Sequence, residues 1–365
     1  MFRILAVNPG STSTKIALFD DEKLIVRQVV EHPHHEIARL KTVSAQEEMR
    51  RKAILAFLTE TGVDLKSLSA LVARGGILRP IPGGVYLVDE EMYTDLKKAR
   101  FGSHASNLGV VICWPLSGEL GIPAYTVDTV ATDELVDEAR LSGLKGIPRQ
   151  SLSHALNSKA AARRAARELK RRYLEVNLVV AHLGSGISVS AHQNGKMVDV
   201  NNANSEGPFS LERCGTLPSL SLADLCFQGG HTHEETERLL TREGGVYSYL
   251  KTKDFREVIQ WMKEGNLHAS LVVKSLAWQV SKEIGAMGAV LRGEVDGVVI
   301  TGGMAYSRTL VGLISSRVTY LGPLFIYPGE EEMEALAAGA LRALRGEQKP
   351  LHYKDIPERS DVDDF

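Results

Sequence analysis

Residues 4–30 read ILAVNPGSTSTKIALFDDEKLIVRQVV, and this stretch decides the fold. Apolar and polar side chains alternate through ILAVN, TKIALFD and LIVRQVV. Tight polar connections at Pro9–Ser13 and Asp21–Glu22 separate the three runs, which predicts three strands in a hairpin meander. Residues 177–201, NLVVAHLGSGISVSAHQNGKMVDVN, repeat the arrangement with GSG as the first loop and Asn194–Gly195 as the second. An Asn-Gly pair between alternating runs is a strong hairpin signal. The glycines opening the two first loops, Gly10 and Gly184, stand nearly half the chain apart, so the pattern points to an internal duplication.

Working outward, each half continues with a buried strand that runs into a double glycine, SALVARGG at Ser69–Gly76 and GVVITGG at Gly297–Gly303. Each then offers a further strand ending near an acid, AYTVDTV with Asp128 and LFIYPGEEE with Glu330, Glu331 and Glu332. Helical periodicity fills the gaps at 47–61, 155–173, 267–291 and 331–344. The order predicts two α/β domains with mixed sheets, and a cleft between them is the expected place for a ligand.

Composition narrows the function. The chain has 365 residues, 44% hydrophobic and 24% charged, an ordinary globular makeup with room for two cores. A net charge of −2 supplies no field for a polyanion, so nucleic acid is not an expected partner. The first apolar run, Ile4–Val7, is shorter than the about 7–15 residues of a secretory core. The stretch 267–291 is broken by Lys274, Gln279, Lys282 and Glu283, so neither secretion nor a membrane span is expected. Cys113, Cys214 and Cys226 form no CxxC pair and read as buried free thiols of a reducing compartment, the cytoplasm.

Two loops can take an anion. Asn8–Lys15 packs Gly10, Ser11, Ser13 and Lys15 into one turn, where successive N–H groups form a concavity. It is not a Walker loop, because Thr14 precedes Lys15 where glycine belongs and Ile16 follows where Ser or Thr belongs. Gly184–Ser185–Gly186 is not a dinucleotide fingerprint, because Val189 holds the third glycine position and the loop leads into a strand. Either loop alone also reads as a plain hairpin turn. Their equivalent placement in two halves favours phosphate.

These residues carry a resemblance. VNPGSTSTK, ARGG, SHASNLG, VDTVATDE, LSHALN, AHLGSGIS, NSEGPFS, ERCGTLP, TGGMAYS and YPGEEEMEALAAGA follow one another across almost the whole chain. Together they resemble the acetate and butyrate kinases of the actin, sugar kinase and Hsp70 superfamily, and the butyrate and branched-chain branch more than the acetate branch. The resemblance implies duplicated actin/ribonuclease H-like domains with five-stranded sheets. The first, 1–155, would hold the acyl substrate, with a segment of about 332–365 packing back on it; the second, 156–331, would hold the nucleotide. It further implies ATP and ADP, Mg2+, a short-chain carboxylic acid or acyl phosphate, and a homo-oligomer, dimer or higher.

It also implies roles. Arg74 would contact the carboxylate and the moving phosphoryl group. Asp128 would orient the nucleophile or hold magnesium through water, a helix N-cap being the plainer reading. Glu331 and Asn8 would stand on the metal side, with Glu330 and Glu332 as substitutes for Glu331. His182, with Gly184, Ser185 and Gly186, would meet the β- and γ-phosphates. His104 and His154 would line the substrate side, and Gly302 and Gly303 would lie against adenine and ribose. The second arginine that acetate kinases carry within GTRSG has no counterpart in GTLP; Arg213, four residues before Leu217, is the candidate to replace it. Such cations are needed, since like charges about 4 Å apart repel by about 4 kcal/mol at an effective dielectric near 20. His32, His34, His35, His231 and His233 read as solvated loop residues. The alternatives are an acetate or propionate kinase, or a non-catalytic regulator or actin-like protein of the same fold.

Overall fold

The computed structural model describes residues 1–40 and 42–358. It forms two compact units, residues 1–133 with the C-terminal segment from Glu331, and residues 134–330. The last part of the segment expected at 332–365 lies outside the described residues.

In the first unit β1 (Arg3–Pro9), β2 (Ser13–Asp20) and β3 (Lys23–Glu31) make the antiparallel meander. β4 (Ala70–Ala73) joins β1 in parallel, and β6 (Ala124–Val127) joins β4. β5 (Val85–Leu87) and the strand Leu351–His352 complete the other edge. The sheet therefore has seven strands where five were expected. The two additions are too short to carry any periodicity.

Helix Glu47–Glu60 turns Ile54, Phe57 and Leu58 inward and helix Asn107–Leu120 turns Leu108, Val111, Ile112 and Cys113, both onto Leu5, Val7, Ile16 and Leu18. Burying each such side chain contributes about 1.5–3 kcal/mol. Helix Glu332–Leu344 buries Met333, Leu336, Ala337, Ala340 and Leu341, an i, i+3, i+4, i+7, i+8 stripe, and packs against β1 and β6. A Cβ on Gly339 would stand 2.5 Å from Val127, so glycine lets this helix approach the strand.

The second unit repeats the plan with five strands, β7 (Leu178–Leu183), β8 (Ile187–Gln193), β9 (Lys196–Val200), β10 (Gly297–Gly302) and β11 (Leu324–Pro328), in the order β11-β10-β7-β8-β9. Strand alternation sorts the two faces. Val179, Ala181, Leu183, Val298 and Ile300 pack on helix Leu267–Val290, while Leu178, Val180 and Val299 pack on helix Ala155–Glu168. Segment 134–155 lies with this unit: the Val136 N–H donates to the Val198 carbonyl, and Leu135, Ala139 and Ala155 pack on Met197 and Val200.

No described helix is long and apolar enough to cross a membrane. The three thiols differ from one another. Cys113 is buried, and burial pushes it up to about 12, whereas Cys214 is half-buried and Cys226 exposed. The exposure of Cys226 corrects the expectation of a buried thiol, because its helix, Ser219–Gln228, buries no residue.

Candidate functional site

The first unit gathers its polar residues at the C-terminal ends of β1, β4 and β6. Val7 pairs with Ala73, so Asn8 and Arg74, one residue on, leave the same end of the sheet; Lys15 stands cross-strand from Asn8. Asn8 Nδ2 donates to Glu332 Oε2 at 2.6 Å and Arg74 Nη1 lies 3.0 Å from Glu332 Oε1. Glu332 is buried and Glu331 exposed, so the acid joined to Asn8 and Arg74 is Glu332, the neighbour expected only as a substitute. The sequence could not choose among three consecutive acids. Helical phase chooses, since Glu332 opens the helix whose apolar stripe fixes its rotation.

Asp128 is buried at the end of β6 with φ 39°. Aspartate visits this left-handed region more readily than most residues, and such strain concentrates at functional sites. Gly75 and Gly76 leave no space beside Arg74: a Cβ would stand 2.3 Å from Thr129 and 2.1 Å from Asn107, respectively. His104 is exposed, its Nδ1 accepting the Ser106 N–H at 3.2 Å.

The loop at Gly10–Ser13 exposes Ser11 and half-exposes Ser13, and it is braced from behind by Arg50, which sequence reading missed. Arg50 is fully buried and donates to the Ser13 carbonyl at 2.7 Å, the Ser11 carbonyl at 3.1 Å, Thr14 Oγ1 at 2.9 Å and Gln46 Oε1. Burial lowers it to about 10, which leaves it charged at neutral pH, and its hydrogen bonds go to neutral oxygens. A positive charge therefore stands under the loop. His32 Nε2 lies 2.8 Å from Thr14 Oγ1 and is buried, which corrects its expected place in a solvated loop; His34, His35, His231 and His233 are exposed.

In the second unit His182 is on β7, directly beside Thr301 on β10. The alternation that turns Val180 and Val299 toward helix Ala155–Glu168 turns His182 and Thr301 the same way, onto Asn157 of that helix. Asn157 Nδ2 lies 2.8 Å from His182 Nδ1 and 3.1 Å from Thr301 Oγ1. His182 Nε2 faces the Gly184 loop and stands 3.3 Å from Glu330 Oε1. His154 stacks on His182 with ring centroids 3.9 Å apart. It thus belongs with His182 in the second unit, while Arg74 and His104 belong to the first. Asn157 lies in the motif LSHALN, beside the histidine that the motif suggests first. Its position three residues after His154 was the available signal.

Arg213 lies against the same loop. A Cβ on Gly186 would stand 2.2 Å from its Nη1, which donates to the Ala203 carbonyl at 2.9 Å. Burial lowers the guanidinium from its ordinary value, and Ser210 Oγ ties the segment to the Ser185 carbonyl. Gly302, at φ 90°, sits over Leu183, whose carbonyl oxygen a Cβ would approach to 2.5 Å. Gly184, Ser185 and Gly303 line a cavity of about 670 Å³ with apolar walls from Leu211, Phe255, Ile259 and Met304, and with Arg256, Lys263 and Arg308 at its sides. Apolar walls beside N–H-rich loops and cations suit a planar base carrying phosphates.

The sequence profile of the Acetokinase family matches residues 145–323. A probable butyrate kinase 2 of Caldanaerobacter subterraneus subsp. tengcongensis is 47% identical over 353 residues, covering 97% of this chain and 100% of the relative. Among solved structures, an acetate kinase of Porphyromonas gingivalis superposes with a TM-score of 0.78 at 20% identity, covering 94% of this chain and 100% of the other. A propionate kinase of Francisella tularensis subsp. tularensis gives 0.74 at 19%, covering 93% and 99%. At these identities the superpositions establish a shared fold.

Proposed function

The chain belongs to the acetokinase family, and from that membership we propose that it is a carboxylate kinase that moves the γ-phosphoryl group of ATP reversibly to butyrate or a related short or branched-chain acid. The observation that carries the reading is 47% identity over nearly the full length to a probable butyrate kinase, joined to two glycine loops, one backed by the buried Arg50 and the other packed against the half-buried Arg213.

A carboxylate oxygen attacks the γ-phosphorus in line. The new O–P bond forms as the bond to the β,γ-bridging oxygen breaks, giving acyl phosphate and ADP. The nucleophile carries no proton at neutral pH, so no general base is needed. The work is positioning and electrostatic stabilisation. Arg74, held by Glu332, takes the carboxylate and one phosphoryl oxygen, with His104 on the acyl side. The Ser11, Ser13 and Lys15 loop accepts phosphate over the charge of Arg50. In the second unit Gly184–Gly186, His182 and Arg213 hold the β- and γ-phosphates, and the base lies in the cavity beside Gly302 and Gly303.

Asn8, Asp128, Glu331 and Glu332 would each offer a hard oxygen donor of the kind magnesium prefers. Among the described residues no cluster of three or more His, Cys, Asp or Glu cages a metal. A magnesium ion held there would supply charge neutralisation on the transferring group. Asp128 and Glu332 are the carboxylates best placed to anchor its water shell, with Asp128 also able to orient the acid.

The unpaired thiols suit a cytoplasmic enzyme. We also infer self-association through helices Ser219–Gln228 and His233–Thr241, neither of which buries a residue and which leave Leu220 and Phe227 more than four-fifths exposed. Sedimentation of a single species with the mass of one chain would refute that inference. The catalytic reading is tested in reverse: butyryl phosphate with MgADP is expected to yield ATP in a luciferase assay, and no ATP from butyryl, isobutyryl, propionyl or acetyl phosphate would overturn it.

A further inference from the structure

The hydrogen bonds behind His182 have a direction, and the direction is fixed at a backbone carbonyl. The Gly329 carbonyl can only accept. Thr301 Oγ1 lies 3.2 Å from it and gives it the one proton the hydroxyl has. Thr301 Oγ1 must then accept from its other neighbour, Asn157, 3.1 Å away. That requires the amide nitrogen of Asn157, not its oxygen, to face Thr301. The same nitrogen stands 2.8 Å from His182 Nδ1, and its second hydrogen points there. Nδ1 of His182 is therefore an acceptor. At the far side of the ring the Glu330 carboxylate, also an acceptor, stands 3.3 Å from Nε2. Nε2 itself makes no hydrogen bond among the described residues, which leaves it as the ring nitrogen to carry the proton.

We propose that Asn157 and Thr301 are positioning residues that lock His182 in the neutral tautomer with its proton on Nε2, so that the ring presents an N–H donor to the transferring phosphoryl group. The functional half of this statement rests on the carboxylate-kinase reading; the tautomer does not. His182, Asn157 and Thr301 are all nearly inaccessible to water, so no solvent molecule competes for the amide or the hydroxyl. The stacked ring of His154 covers one face of His182 and prevents the plane from tilting. Gly329 is itself held by reciprocal backbone bonds with Gly302, 3.0 and 3.1 Å long, which ties the direction of the relay to the pairing of β10 with the segment after β11. A proton placed on Nδ1 would set donor against donor at Asn157. When phosphate arrives, Nε2–H has no hydrogen bond among the described residues to give up, and nothing in the relay has to turn. Preorganisation of that kind is where catalytic hydrogen bonds gain most of their effect.

The test uses the full-length protein labelled with 15N-histidine, with His182 assigned by its loss in His182→Gln. Long-range 1H–15N correlation distinguishes the tautomers, and Nδ1 unprotonated with Nε2 protonated is expected. Asn157→Asp replaces the donor with an acceptor facing both neighbours, so Nδ1 is expected to become protonated. Its kcat is expected to fall about 100-fold, the scale of losing one aimed donor, with KM for ATP changed less than about threefold. Thr301→Val releases the amide and is expected to give mixed tautomers, while Thr301→Ser restores the Nε2–H signature. A wild-type ring protonated on Nδ1 overturns the lock. A reversed tautomer in Asn157→Asp at undiminished kcat overturns the positioning role. Should the wild type phosphorylate no acid, the spectrum still decides the lock, and it is the functional reading that fails.

Discussion

At the scale of single residues, charge has to be delivered to an anionic reaction from inside a nearly neutral chain. In the proposed site Arg74 is held by its ion pair with Glu332, whereas Arg50 and Arg213 are held by packing and by neutral oxygens. Arg213 is packed on Gly186 and donates Nη1 to the Ala203 carbonyl, and in the proposed reading its remaining donors meet phosphate. Its backbone position differs from that of the arginine in acetate kinases, and the packing gives a physical reason to treat it as the replacement. Arg213→Ala is expected to lower kcat about 100-fold or more, with the melting temperature lowered little because the side chain's role is at the loop. Turnover at the wild-type rate would remove Arg213 from the site. Arg74 is a candidate through the family resemblance; the acid it pairs with, Glu332, was not separable from its neighbours in the sequence, and helix rotation fixes it.

At the scale of elements, helix Leu267–Val290 shows what polar residues on a core helix cost. Glu283 is half-buried there, and burial raises its pKa above the usual carboxylate range. Asp199 and Glu206 push it further, opposed by Arg149 and Lys282. A carboxyl raised in the folded state detracts from stability at pH values where it is ionised in both states, and detracts nothing well below its unfolded value of about 4.3. Glu283→Gln is therefore expected to raise the melting temperature at pH 7 and leave it unchanged near pH 3.5. Equal shifts at both pH values would contradict this. Four of the five longest described helices and both meanders were readable because each carries its pattern over many residues; helix Asn107–Leu120 was not, since it is buried on most of its circumference and shows little period. The strands Val85–Leu87 and Leu351–His352 were not, since two or three residues define no period and their pairing is decided by neighbours distant in sequence. Arg50 and Asn157 were missed for a related reason: each sits in an ordinary helical pattern, and only tertiary packing brings it to a loop or a ring.

At the scale of the molecule, the duplication visible in the two meanders accounts for both units, each a mixed sheet with helices on its faces and candidate site residues at strand ends. The halves have diverged in what they present. The first gathers Asn8, Arg74, Asp128 and Glu332 beside a loop backed by Arg50. The second gathers His182, Arg213 and a glycine-floored cavity. Family membership makes the reaction class secure, while the preferred acid is set by apolar contacts that discriminate by only about 1–3 kcal/mol per methylene. If butyrate is the acid, as proposed, each methylene removed toward acetate is expected to lower kcat/KM by about tenfold or more. The most direct measurement is to incubate the enzyme with ATP, magnesium and hydroxylamine and a panel of C2 to C6 linear and branched acids, and to quantify the acyl hydroxamate. Stoichiometric hydroxamate and ADP, highest with butyrate or a branched relative, is the result the account predicts; ADP release without hydroxamate from any acid would contradict it.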